Sequence, residues 1–251
     1  MLKLTKLIFI MLLSLITAHE SVISVEANAN LTTAETEFAD LIVAADVKLD
    51  LNDRTNAEQY LLQANQILTQ NPSINTYLQG HFNKVNGKLY MTNNAVTALQ
   101  YFNTSLSQFF GNSLEQAETK MFIGIAYYHA GSYATAKSYF EEARTTFDLQ
   151  NDMQKSAQAL NNIGVVYFRQ GDAQNAQIFC QNSLDINNQI GQRLNANRNQ
   201  YNLAVFAGNS SATVANPLDG ENNQAAGGTG TSGSTITTSG SGTVVVTTPA
   251  G

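Results

Sequence analysis

The sequence predicts an all-α chain assembled from repeated helix-turn-helix hairpins. Three observations predict it. Glycine, tyrosine and alanine recur at a spacing of 40 residues in the pairs Gly124/Gly164, Tyr127/Tyr167, Gly131/Gly171 and Ala136/Ala176. Pro72 is the only proline between residues 33 and 207, so the strongest helix breaker is nearly absent from that span. Apolar residues there follow the helical period rather than strict alternation.

The N-terminal residues read differently. Lys3 and Lys6 precede an uncharged, mostly apolar run from Leu7 to Ala18. That run falls short of the roughly 20 residues a membrane-spanning helix needs, and it fits the apolar core of a signal peptide. Residues 1–29 are therefore expected to be a signal peptide, cleaved after Ala18 or after Ala29, with an uncleaved anchor as the alternative. Either outcome puts the bulk of the chain outside the cytoplasm, periplasmic or secreted, with a bacterial envelope as the expected setting.

The repeat domain is expected over 30–207. Glu35 to Asp50 opens it as a helix, and Ala57, Leu61 and Ala64 mark the helix that answers it. A second unit carries Gly87, Tyr90, Ala98, Tyr101, Phe102 and Ser105, with a shorter turn. The third reads KMFIGIAYYHAGSYATAKSYFEEA over 120–143, and the fourth reads LNNIGVVYFRQGDAQNAQIFCQNS over 160–183. A glycine inside a helix costs about 1 kcal/mol relative to alanine, so Gly124 and Gly164 mark places where a neighbouring helix comes close. Gly131 and Gly171 stand where a first helix ends, as C-terminal caps. Ala136 and Ala176 lie on the second helix at the crossing point, with Phe140 and Cys180 four residues on in the core stripe. Arg193 to Phe206 reads as one more helix with no partner after it, a terminal cap. The array is thus four hairpins plus a cap. Residues 208–251 turn Gly-, Ser- and Thr-rich and are expected to form a flexible tail, in which only Thr243 to Thr247 has strand character.

Composition excludes several functions. Charged residues make up 13% of the chain, with 13 basic against 19 acidic. No basic run is present, which argues against nucleic acid, because phosphate binding needs clustered Lys and Arg. Stable membrane insertion after signal removal is not expected. Cys180 is the single cysteine, so no internal disulfide can form; it is expected as a buried, inert thiol. His19, His81 and His129 are far apart, so no metal site is expected. No phosphate loop, nucleophile elbow or tuned carboxylate pair is present. Glu141, Glu142, Glu115 and Glu118 read as exposed helical carboxylates, and His81 and His129 as surface or groove residues. The chain is not expected to be an enzyme, and no cofactor is expected.

The unit resembles the tetratricopeptide repeat. Leu160, Ile163, Gly164, Tyr167 and Ala176 carry the resemblance, with Cys180 in place of the usual aromatic and Ser183 in place of a small alanine. The third unit departs at Lys120 but keeps Gly124, Tyr127, Ala136, Phe140 and Ala143. The longer spacing and Leu160-Asn161-Asn162 are similar to kinesin-light-chain-like peptide-binding adaptors. The resemblance implies a superhelix whose first helices line a concave groove for a protein or extended peptide partner. Carried over by position, the groove residues are Gln158, Asn161, Asn162, Val165, Phe168 and Arg169 in the fourth unit, and Glu118, Met121, Phe122, Ile125, Tyr128 and His129 in the third. Lys84, Lys88 and Met91 in the second unit and Arg198, Tyr201 and Asn202 in the cap complete the set. Asn162 and Asn202 stand 40 residues apart, where related adaptors grip a peptide backbone with an amide. The basic clamp of chaperone-binding relatives is not reproduced. The alternative function is structural: self-association, or packing into an envelope complex through outer faces carrying Phe109, Phe110 and Tyr133.

Overall fold

A computed structural model describes residues 31–208, 235–238 and 244–247. Its helices are α1 Thr33–Asp50, α2 Arg54–Gln70, α3 Thr76–Tyr90, α4 Ala95–Gln108, α5 Ser113–His129, α6 Tyr133–Leu149, α7 Met153–Arg169, α8 Ala173–Gln189 and α9 Arg193–Phe206. Consecutive helices pack into the hairpins α1/α2, α3/α4, α5/α6 and α7/α8, each second helix leans on the next first helix, and α9 closes the stack against α8. Residues 31–208 form an all-α solenoid of four hairpins and a cap, as the 40-residue period predicts. The expected signal peptide lies outside the described residues, as does nearly all of the expected tail. Within the latter span, β1 Thr235–Thr238 and β2 Val244–Thr247 pair antiparallel, Ile236 opposite Val246.

Local chemistry starts and stops each helix. Thr32 and Glu35 form a reciprocal capping box at α1, with the Glu35 amide donating to Thr32 Oγ1 at 3.2 Å and the Thr32 amide donating to Glu35 Oε2 at 2.9 Å. Asn112, Asp152 and Asp172 cap α5, α7 and α8 one-sidedly, each side chain accepting the backbone N–H three residues on. First helices α5 and α7 end at Gly131 and Gly171, whose φ of +76° and +85° only glycine adopts without strain. The Ser132 amide then reaches back to the Tyr127 carbonyl at 2.9 Å, and the Asp172 amide to Tyr167 at 2.9 Å.

The crossing glycines have a direct physical cause. A methyl group at Gly124 would stand 2.5 Å from Cε1 of Phe140, and one at Gly80 would stand 2.6 Å from Cε1 of Phe109. Phe102 lies against Gly87 in the same manner. In the fourth unit Cys180 replaces the aromatic ring, and the helix backbone itself moves in: a Cβ on Gly164 would meet the Ala176 carbonyl oxygen at 3.0 Å. The core follows these crossings. Phe38, Ile42 and Leu78 fill its N-terminal part, and Phe102, Ile123, Phe140, Phe147, Ile163 and Val166 fill its C-terminal part. Phe109 belongs to this buried set at 1% exposure, which corrects its reading as an outer-face aromatic. Phe110 is the exposed one, at 91%.

Candidate functional site

The first helices α1, α3, α5, α7 and α9 are laced together by side chains across one face. Lys88 on α3 pairs with Asp46 on α1 and with Asp50 at 3.2 Å. Lys84 on α3 pairs with Glu115 at 2.7 Å and Glu118 at 2.9 Å on α5. Lys155 on α7 then reaches Glu118 at 2.5 Å and Asp152 at 3.3 Å. Burial opposes the charge on Lys84, but Glu118 and Glu115 outweigh it and hold the ammonium charged. Burial likewise opposes the Glu118 carboxylate, and Lys84 and Lys155 outweigh it, bringing its pKa to about 2. Glu115 and Glu118 are therefore members of an inter-repeat ion network, not exposed helical carboxylates; the 30-odd residues separating the partners hid this from a reading of helix faces. His81 is likewise buried, at 4% exposure, edge-on to Tyr77 and Phe109 with Glu115 at 3.6 Å, and not a surface residue. Burial and then Lys84 depress its pKa to about 3, so it is neutral.

Toward the C-terminus the bridges become amides. Asn161 Oδ1 on α7 accepts from Asn199 Nδ2 at 3.0 Å and Asn202 Nδ2 at 2.9 Å, both on α9. Asn187 Nδ2 donates to Asn199 Oδ1 at 2.8 Å, and Gln192 Nε2 donates to Gln154 Oε1 at 2.7 Å. Cys180 sits inside this cluster with Asn199, and burial pushes its thiol up to about 12. It is a buried thiol, as its place in the core stripe predicts.

The predicted groove residues fall into two sets. Asn161, Asn162, Val165, Ile125, Met121, Asn202, Tyr128 and Gln158 are all under 10% exposed. Glu118, Phe122, Phe168, Tyr201 and Arg198 are half-buried, and His129 and Arg169 are exposed. Lys84, Lys88 and Met91 are buried between units. The second set lies on the first helices α5, α7 and α9. Arg169 Nε donates to the Tyr128 hydroxyl at 2.7 Å, linking α7 to α5, with the guanidinium 5.7 Å from that ring. Tyr128 also packs on His129 and Tyr133. Phe168 stacks on Phe206 at 4.7 Å, and Phe122 stacks on Phe102 with Lys88 over its ring at 5.3 Å. Asp46, Asp50 and Lys155 are the bridging residues that the sequence reading passed over. Their signal was available as charges recurring at inner positions of successive first helices. Among the described residues no cluster of His, Cys, Asp and Glu has metal-binding geometry, and no helix is long and apolar enough to cross a membrane.

The family profile of the tetratricopeptide repeat matches residues 156–190, the α7/α8 hairpin. That hairpin is a tetratricopeptide repeat, and the array is a solenoid of similar hairpins. Solved structures show the same fold. A signal transduction ATPase with numerous domains, bearing a tetratricopeptide repeat sensor, from Pyrococcus horikoshii matches with a TM-score of 0.59 and 17% identity, over 70% of this chain and 28% of that one. The Rap conjugation gene regulator of plasmid pLS20, in complex with the Phr* peptide, matches at 0.53 and 17%, over 66% and 48%. Aspartyl phosphate phosphatase F from Bacillus subtilis matches at 0.55 and 12%, over 70% and 52%. This chain therefore spans about half or less of the length of these structures, and the likeness is one of fold. No curated protein sequence matches the chain.

Proposed function

We propose that the tetratricopeptide array is a non-catalytic scaffold that binds an extended peptide or protein segment along its first-helix groove, outside the cytoplasm. The observation that carries this reading is the set of solvent-reached aromatic and polar side chains on the first helices α5 and α7: Phe122, His129, Phe168 and Arg169, with Tyr128 tying Arg169 to α5. Rigid aromatics beside an ordered arginine are what dominates protein recognition energetics. The solved pLS20 regulator holds a peptide on a similar fold, which supports the mode of binding. Location outside the cytoplasm rests on the signal-peptide pattern of residues 1–29.

The alternative reading, assembly through outer surfaces, draws on Phe110, Leu149 and Leu194, which are 91%, 76% and 68% exposed. Selection from a random peptide display library on the full chain separates the two. Binding of the selected peptide is expected to fall about tenfold or more in Phe122→Ala with Phe168→Ala, the range of a lost hot spot, and to persist in Phe110→Ala. The reverse pattern supports assembly through the outer surface and removes the groove reading.

A further inference from the structure

The last three turns that join one unit to the next share a feature that the turns within units lack. Phe110 and Leu114 straddle the turn from α4 to α5, Leu149 and Met153 the turn from α6 to α7, and Ile190 and Leu194 the turn from α8 to α9. Each pair is spaced four residues apart, and the pairs recur from 110 to 149 to 190, in steps of 39 and 41 residues. Phe110, Leu149, Met153 and Leu194 are exposed, and Leu114 and Ile190 are half-buried. Turns this short reverse the chain, so successive helices run antiparallel and these three turns lie at the same end of the array. The turns 91–94, 130–132 and 170–172, at the opposite end, hold one large apolar residue, Met91, and it is buried. The exposed residues Leu51, Leu62, Val96 and Ile178 are not repeated from one unit to the next, and scattered apolar side chains of that kind are ordinary on a surface. Three pairs at one end, in step with the repeat, make a stripe.

Charge, hydrogen bonding and geometry together select what covers the stripe. Segments 109–114, 149–154 and 189–194 hold one acid, Asp152, and one base, Arg193, so they carry no net charge on a chain of net charge -6. Asp152 is in addition paired with Lys155 at 3.3 Å. A second copy is repelled by the acidic surplus elsewhere and meets none here. An anionic membrane finds no basic cluster to hold. The exposed polar residues between the apolar pairs include Gln150, Asn151 and Gln189, and an amide both donates and accepts, so it is complementary to another copy of itself. A row of three like pairs at nearly equal steps also maps onto itself under a two-fold axis through the middle pair, the symmetry of an isologous contact.

We infer that this end of the array is a docking surface for a second copy of the chain. The two copies run antiparallel, with Leu149 and Met153 meeting their own counterparts and the Phe110 pair of one copy meeting the Leu194 pair of the other. The contact lies at helix ends, apart from the first-helix groove, so it stands whether or not the groove holds a peptide. Sedimentation velocity of the full chain across a concentration series is expected to show a reversible monomer–dimer equilibrium. Leu149→Glu sets like charges against each other on the axis and is expected to weaken the dimer about tenfold or more. Phe122→Ala with Phe168→Ala, on the groove, is expected to leave the equilibrium unchanged. Cysteine crosslinking reads the register, because the native Cys180 is buried. On oxidation Met153→Cys is expected to couple to itself. Phe110→Cys and Leu194→Cys are expected to stay uncoupled alone and to couple when mixed. A monomer at every concentration, a dimer indifferent to Leu149→Glu, a dimer dissolved by the groove variant, or self-coupling of Phe110→Cys overturns the inference. So does a monomer that floats with phosphatidylcholine vesicles and no longer does so as Leu149→Glu, which assigns the stripe to lipid. A dimer with these properties in a chain for which no groove peptide can be selected leaves the inference standing and removes the groove reading.

Discussion

The first three units and the last one solve the same problem with different chemistry. Successive first helices must be tied together across a face that has no second helix to cover it. From α1 to α7 the ties are ionic: Asp46 and Asp50 to Lys88, Glu115 and Glu118 to Lys84, Glu118 to Lys155. From α7 to α9 they are amides: Asn161 to Asn199 and Asn202, and Gln154 to Gln192. The cores change in parallel. Phe140, Ala143 and Phe147 of the third unit become Cys180, Ser183 and Asn187 in the fourth, at the same spacing. A chain with only 13% charged residues therefore concentrates many of its charges in inter-repeat contacts of the N-terminal part. The contrast teaches that repeat register can be fixed by Coulombic pairs that respond to acid or by neutral amides that do not.

The largest expected effect comes from removing the central cation. Lys84→Met leaves Glu115 and Glu118 facing each other half-buried, and is expected to cost about 3–5 kcal/mol in denaturant unfolding, the usual penalty for stranding one side of a buried ion pair. Asn161→Ala, in the amide part, removes the acceptor of two buried N–H groups and is expected to cost about 1–3 kcal/mol by the same measurement. Acidification should divide the two parts. Glu118 has a folded pKa of about 2 against an ordinary 4.5, so its contribution is present above pH 4.5 and is lost as pH falls toward 2. His81 is held near 3 against 6.5, so the unfolded chain takes up its proton first and stability already declines below pH 6.5. Both groups act in the same direction, and hydrogen exchange at falling pH is expected to open α3 and α5 before α8 and α9. The smallest effect is expected at Lys120→Ala. Its pair with Glu142 is solvent-screened, with side chains 32% and 53% exposed, and the loss should stay within about 1 kcal/mol.

The helices were legible because the spacing of Gly124, Tyr127, Gly131 and Ala136 encodes where helices cross and stop, and the structure places a ring or a backbone at each crossing glycine. The cap helix was legible from Ala204, which falls 40 residues after Gly164 and is 6% exposed. Burial of the polar residues was not legible. Asn161 reads as a groove residue and Asn187 and Asn199 give no signal of their own, because an amide is indifferent to its side of a helix until its partner is known. The substitution of Cys180, Ser183 and Asn187 for Phe140, Ala143 and Phe147 was the available clue, since three consecutive core positions turned polar together. The ion network was hidden for a related reason: Lys84 meets Glu118 across 34 residues, a distance at which only the stacking of units, not one helix, brings charges together.

The most direct measurement is photo-crosslinking of the full chain to its library-selected peptide, with p-benzoylphenylalanine placed singly at Phe122, Phe168, Phe110 or Ile178. Phe122 and Phe168 lie half-buried on first helices, whereas Phe110 and Ile178 are 91% and 49% exposed elsewhere on the surface. Adducts from Phe122 and Phe168, and none from Phe110 and Ile178, are the result expected of a scaffold that holds its partner along the first helices. Adducts confined to Phe110 or Ile178 would contradict it and move recognition to the outer surface.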